Sequence, residues 1–90
     1  MDTPGVGEPA ARVQRRRGLV KRSFSLAGHR TSVALEDEFW SALDHIAAAR
    51  GRTVSALVMD VDAERAGFRP LASELRVFAL TWFRGSATDR

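Results

Sequence analysis

The sequence predicts a mainly α-helical fold with a short β ribbon near its start, and three observations predict it. Polar and apolar residues alternate over 30–35, as they do in a half-buried strand. Two apolar stripes at helical spacing follow, over about 37–50 and 53–66. A further apolar stretch over about 71–84 predicts an additional C-terminal helix.

The strand at 30–35 places Val33 and Leu35 on one face, and a second, shorter strand is predicted at 22–26 by the same alternation. An unpaired strand leaves backbone N–H and C=O groups without partners. We therefore expect strand 30–35 to pair antiparallel with the same strand of a second copy, since two-fold symmetry makes that contact self-complementary.

The helices have recognisable beginnings and ends. An acidic cluster at 36–38 opens the first helix, where carboxylates satisfy free N–H groups and favour the positive end of the helix dipole. Gly51 is the predicted left-handed residue after it, and Thr53 is the predicted N-cap of the second helix. The helix at 71–84 is too apolar to lie exposed on a monomer, which predicts an extra interface in a dimer or a tetramer.

Charge is distributed unevenly along the chain. Residues 12–30 contain seven basic and no acidic side chains, whereas residues 31–90 contain seven basic and nine acidic ones. This predicts a disordered basic arm at 1–21, a folded domain at 22–84 and a polar tail at 85–90. Nucleic acid, rather than a membrane surface, is the expected target of the arm.

Several classes of function are not expected. The chain has no cysteine and two histidines, and no apolar run long enough to span a membrane. The acidic group at 60–64 is expected to be a solvated helix face and not a metal site. Because no arrangement of catalytic residues is present, we expect no enzyme activity and no cofactor. We expect the protein to lie in the cytoplasm, in association with the nucleoid.

Three stretches of the sequence resemble one family. Residues 30–35 (RTSVAL), 36–43 (EDEFWSAL) and 51–57 (GRTVSAL) are similar to the ribbon-helix-helix domain of the Arc/MetJ type. The run at 28–32 (GHRTS) and the Phe-Trp pair that follows the acidic cluster further resemble short bacterial members of undefined role. The resemblance covers about residues 22–84.

The resemblance implies an intertwined homodimer that binds double-stranded DNA, with its paired strands in the major groove, as a transcriptional regulator. It places base reading on the outward strand residues, which are Arg30, Ser32 and Ala34. It places a phosphate contact at the second helix N-terminus, and the basic run adds further phosphate-binding candidates. The expected phosphate-binding set is Arg52, Thr53, Val54, Ser55, Lys21, Arg22, Arg15, Arg16 and Arg17. The expected dimer core is Val33, Leu35, Phe39, Trp40, Leu43, Leu57 and Val61.

Two alternatives remain open at this level. Strand 22–26 either lies along the DNA backbone as part of the arm or folds back on strand 30–35 as a hairpin. In the second case a strand-paired dimer carries a four-stranded sheet, which is too wide for a groove of about 12 Å, so the protein would not insert its ribbon in the usual way. The alternative function is a protein-interaction module, antitoxin-like or an assembly adaptor, that binds a protein partner through its apolar C-terminal helix.

Overall fold

Two strands and three helices follow one another in a computed structural model, which describes residues 18–65, 67 and 69–88. The predicted arm residues 1–17 lie outside the described part. The elements are β1 (Val20–Leu26), β2 (His29–Leu35), α1 (Asp37–Ala49), α2 (Val54–Glu64) and α3 (Leu71–Thr88).

Strands β1 and β2 form an antiparallel hairpin within one chain, with register pairs from Leu26↔His29 to Val20↔Leu35. Ala27 and Gly28 form the turn with φ values of 52° and 82°. Two consecutive positive φ angles are the signature of a type I′ turn, whose twist matches that of the flanking strands. The hairpin alternative for residues 22–26 is therefore the one observed, and β1 begins two residues earlier than predicted.

This pairing gives strand 30–35 a partner within its own chain. One edge of β2 already has its partner in β1, so hydrogen bonding along that edge is satisfied within the chain. Antiparallel pairing leaves every second residue's N–H and C=O on the outer edge of each strand. The outer edge of β2 thus stays open to a strand of another copy, and pairing between two copies stays a prediction.

Two of the three predicted helix-end signals, Gly51 and Thr53, are confirmed, and the side-chain cap expected from the acidic cluster is not. Gly51 has the left-handed φ of 67°, and the Thr53 hydroxyl accepts a hydrogen bond from the Ala56 amide at 3.0 Å. Glu36 lies at the N-cap of α1 but its side chain makes no capping hydrogen bond. It instead accepts a hydrogen bond from Arg76 Nε of α3 at 2.9 Å, so it ties the end of the ribbon to the last helix.

Helix α3 continues to Thr88, four residues beyond its predicted end, so residues 85–88 are helical. Its buried residues Leu71, Leu75 and Ala79 are spaced by four, which is one face of a helix. The division of the chain into arm, domain and tail stays a prediction.

A single hydrophobic core lies between the inward face of the hairpin and the three helices. Six of the seven residues assigned to a dimer core are buried inside one chain, and Phe39 is half-buried. Trp40, Leu35, Leu43 and Leu57 are fully buried. These residues are thus buried within a single chain, and their part in a dimer core stays a prediction.

Candidate nucleic-acid interface

The outward face of the hairpin is formed by three cross-strand pairs. The pairs are Lys21↔Ala34, Ser23↔Ser32 and Ser25↔Arg30. All of these side chains are exposed except Ala34, which is half-buried. The Ser23 and Ser32 hydroxyl oxygens lie 3.3 Å apart and share a hydrogen bond across the strands.

Charge on this face has one sign. Lys21 and Arg30 lie near opposite ends of the ribbon on different strands, and no carboxylate occupies the face. Neither cation forms an ion pair or side-chain hydrogen bond with another described residue. Both are therefore available to an anionic or hydrogen-bond-accepting partner.

The predicted base-reading residues Arg30, Ser32 and Ala34 all point outward from β2. Ser23 and Ser25 of β1 lie beside them, and sequence reasoning left both out of the site. The alternation of serine with apolar residues over 22–26 carried the signal that places them on this face.

Arg22 belongs to the opposite face of the hairpin. Its guanidinium donates two hydrogen bonds to Asp44, at 3.0 and 3.2 Å, and lies 4.7 Å from the centre of the Trp40 ring. The phosphate contact predicted for Arg22 would therefore compete with Asp44 and Trp40.

Trp40 anchors the start of β1. Its indole Nε1 donates a hydrogen bond to the Val20 carbonyl at 2.7 Å, and its ring lies 5.8 Å from that of Phe24. Because Trp40 is fully buried on α1, these contacts hold the ribbon in a fixed orientation on the helices.

The N-terminus of α2 carries four of the predicted phosphate-binding residues. The Thr53 hydroxyl is used as the cap, while the Val54 and Ser55 amides bond to no other described residue. Arg52 folds back along the helix, with Nη2 at 2.6 Å from Asp60 Oδ2. Both partners are 40% or more exposed, and such a surface pair is worth about 0–1 kcal/mol, so a phosphate can displace Asp60 from Arg52. Arg15, Arg16 and Arg17 lie outside the described residues.

One carboxyl group at the end of the ribbon is electrostatically perturbed. The hydrogen bond from the Arg76 guanidinium lowers the pKa of Glu36 below its ordinary value of 4.5, with a smaller contribution from a backbone hydrogen bond. The charged form of Glu36 is thus favoured at the junction of β2, α1 and α3.

Other kinds of site have little support among the described residues. No group of three or more potential metal ligands occurs there. No helix in that part of the chain is long and apolar enough to cross a membrane. An apolar groove of about 190 Å³ lies between α1 and α3, lined by Phe39, Ala42, Leu80 and Phe83 among others.

The chain belongs to the ribbon-helix-helix domain family, whose model matches residues 19–83. A solved structure that it resembles is that of an uncharacterized protein from Bordetella pertussis Tohama I, at 33% sequence identity and a TM-score of 0.69. The match covers 84% of this chain and 64% of that one, so the chain spans somewhat less than two thirds of its relative. No curated protein matches the chain.

Membership supports a general class of function. Ribbon-helix-helix domains usually dimerise and typically bind DNA, and the family is not one of enzymes. The additional helix α3 extends the strand–helix–helix unit that defines it.

Proposed function

We propose that this protein is a homodimeric transcriptional regulator that binds double-stranded DNA sequence-specifically in the cytoplasm, in association with the nucleoid. The ribbon enters the major groove with its outward face toward the bases. The N-terminus of α2 and the basic arm contact the phosphates.

The outward face of the hairpin carries this proposal. It combines exposed small hydroxyl side chains with unpaired cations and lacks any carboxylate. Arg30 is suited to donate two hydrogen bonds to a guanine, and Ser32 to bond several bases, while Ala34 is suited to touch a thymine methyl.

Phosphate contacts supply affinity without reading sequence. The Val54 and Ser55 amides, which bond to no other described residue, lie at a helix N-terminus, where the helix dipole favours an anion. Arg15, Arg16 and Arg17 add positive charge that attracts the phosphates of any duplex, whatever its base sequence. Neutralising these arginines should therefore weaken binding to all duplexes alike.

Salt dependence of duplex binding tests the proposal. Each phosphate that a protein cation neutralises adds about −0.9 to the slope of log K against log salt concentration. We expect tight binding at low salt with a steep slope, measured by fluorescence anisotropy of a labelled duplex. The triple variant Arg15→Gln, Arg16→Gln, Arg17→Gln should make the slope shallower by about 0.9 for each lost contact. No duplex binding at low salt would exclude the proposed function.

A second candidate function is favoured by one observation. On α3, Val77, Leu80 and Phe83 are 41%, 55% and 39% exposed, and the last two border the apolar groove next to α1. Exposed apolar patches of this kind often mark protein interfaces. The candidate is a protein-interaction module, antitoxin-like or an assembly adaptor.

One protein partner, recovered in stoichiometric amount and resistant to nuclease, is the expected result for that module. Loss of this partner in the Leu80→Ser variant would locate the contact on α3, provided that Met59→Ser retains the partner. Met59 is the control because it is an exposed apolar residue on α2. Equal retention by both variants would exclude α3 as the docking surface.

A further inference from the structure

We infer that the exposed face of α3 binds the same face of a second copy of this chain, in addition to the contact that forms the proposed homodimer. The α3 ridge consists of Val77, Leu80 and Phe83, and beside it lies the apolar groove between α1 and α3. Leu80 of each copy enters the groove of the other copy. This contact does not depend on DNA binding.

The groove has the size and lining of a site for one apolar side chain. Its volume is about 190 Å³, and Glu38 is the only charged side chain among the described residues that line it. Ala42 and Ala79 leave room between the two helices because their side chains are short. Sites for drug-sized ligands usually measure about 300–1,000 Å³, so this groove suits a single aliphatic side chain better than a separate ligand.

The α3 ridge supplies such a side chain. Leu80 is 55% exposed, and Val77 and Phe83 lie three residues before and after it, so the three side chains form a row along the helix. Rows of residues spaced by three are one of the ridges that pack into the grooves of a neighbouring helix. Leu80, at the centre of the row, is therefore suited to a contact between helices.

The ridge and the groove share one face, and this favours a second copy over a different partner. Leu80 and Phe83 form one wall of the groove, so a protruding side chain and a recess lie side by side. A different protein would have to bring both a side chain for the groove and a recess for Leu80. A second copy carries both, and a two-fold axis forms the two contacts at once.

The charges around this face are compatible with self-pairing. Arg76, which precedes the ridge, donates a hydrogen bond to Glu36 at 2.9 Å, so its charge is neutralised within its own chain. Glu38 at the groove and Arg84 after the ridge carry opposite charges. Two copies of the face therefore bring both signs of charge together, which does not disfavour their association.

The wall of the groove is fixed before any partner binds. The ring centre of Phe83 lies 4.9 Å from that of Trp82 and 5.5 Å from that of His45 on α1. Because these contacts already hold the Phe83 side chain, its ordering costs little when a second copy binds.

The size of the face determines the strength of the contact. Three partly exposed side chains and a small groove offer much less area than the about 800 Å² per partner of a standard stable interface. We therefore expect weak and reversible association, which becomes populated at high protein concentration.

Sedimentation velocity of the full chain without DNA, from about 1 μM to about 1 mM, tests this contact. The intact protein is compared with Leu80→Ser and with Leu19→Ser. Leu19 is a matched control, because it is the same residue type, is 54% exposed and lies before β1. Two further variants, Leu80→Glu and Leu80→Lys, are measured separately and as an equimolar mixture. Circular dichroism verifies that each variant remains folded.

We expect the weight-average mass of the intact protein to rise above that of two chains as the concentration increases. Leu80→Ser should raise the dissociation constant of this step by about 100-fold or more, because a two-fold interface loses the leucine contact twice. Leu19→Ser should behave like the intact protein. Leu80→Glu and Leu80→Lys should each fail to associate further, and their mixture should recover the association because the two substituted positions meet in one interface.

Three results would overturn the inference while the proposed function stands. One is a mass of the intact protein that never exceeds that of two chains, and another is an equal rise in mass for Leu80→Ser. The third is a mixture of the two charged variants that associates no better than either variant alone. A different protein recovered on α3, with no self-association of the chain, would assign this face to the second candidate function instead. Absence of duplex binding by a protein that still associates would overturn the proposed function alone.

Discussion

The two faces of the β1–β2 hairpin are built from alternate residues of the same strands and differ in almost every physical property. The inward face consists of apolar side chains buried against the helices, and its one arginine is bound to Asp44 and Trp40. The outward face consists of serines, an alanine and two cations, and the cations form no ion pair with any residue that the structure describes. The comparison shows how a period of two separates buried apolar residues from exposed polar and charged ones in one short segment.

Removal of the main inward anchor should have the largest effect. Trp40→Ala deletes a fully buried indole and leaves the Val20 carbonyl without its donor. We expect a loss of about 3–5 kcal/mol in the free energy of unfolding, measured by urea denaturation. Ser41→Ala, at an exposed position next to it, should stay within about 0.5 kcal/mol of the original protein. A loss below about 1 kcal/mol in Trp40→Ala would contradict the anchoring role.

The two arginines of the hairpin offer a direct test of the contrast between its faces. Arg30→Ala should weaken binding to the preferred duplex by about 1–3 kcal/mol and relax base preference at one position. Its effect on the free energy of unfolding should be within about 0.5 kcal/mol, because the side chain is exposed and forms no ion pair with a described residue.

Arg22→Ala should behave in the opposite way. It removes a partly exposed ion pair and a cation–π contact, together worth about 1 kcal/mol of folding stability, and should leave base preference unchanged. Anisotropy titrations give the duplex affinity of each variant, and urea denaturation gives the free energy of unfolding of each. Equal losses of duplex affinity in the two variants would show that Arg22 reaches DNA as well, as the basic run first suggested.

Local patterns explain how much of the fold follows from the sequence. The end of α1 and the start of α2 agree with the prediction because Gly51 and Thr53 are local signals that need no tertiary information. Helix α2 ends at Glu64, two residues before its predicted end. Pairing of β1 with β2 was left open because Ala27–Gly28 lacks the usual Asn-Gly or Asp-Gly turn signal, although Ala27 adopts a φ of 52°. The link from Glu36 to Arg76 joins residues forty positions apart, and no local pattern predicts it.

The candidate site was predictable to a similar extent. Alternation assigned Arg30, Ser32 and Ala34 to one face, and all three lie on that face. Lys21 and Arg22 were grouped by charge alone, yet a period of two places them on opposite faces. The same period joins Arg22 to Phe24 and Leu26 in the buried half of the strand. Charge alone marks a segment of the sequence, and periodicity is needed to say on which face of the hairpin each of its residues lies.

The ion pair at the end of the ribbon should give the smallest effect on stability, and that effect should be lost under acidic conditions. Since the pKa of Glu36 is lowered in the folded protein, its stabilising contribution is present above its ordinary pKa of 4.5 and is lost as the pH falls through the lowered folded-state value. NMR titration of the Glu36 carboxyl should give a pKa below 4.5, and Arg76→Gln should raise it toward that value. The melting-temperature difference between the original protein and Arg76→Gln should narrow on acidification from about pH 6 to about pH 3. Arg69→Gln, which removes a cation that does not contact Glu36, should leave the Glu36 titration unchanged. An unaltered Glu36 titration in Arg76→Gln would show that the Arg76 guanidinium is not what lowers the pKa of Glu36, and that the ion pair does not tie the ribbon end to α3 in solution.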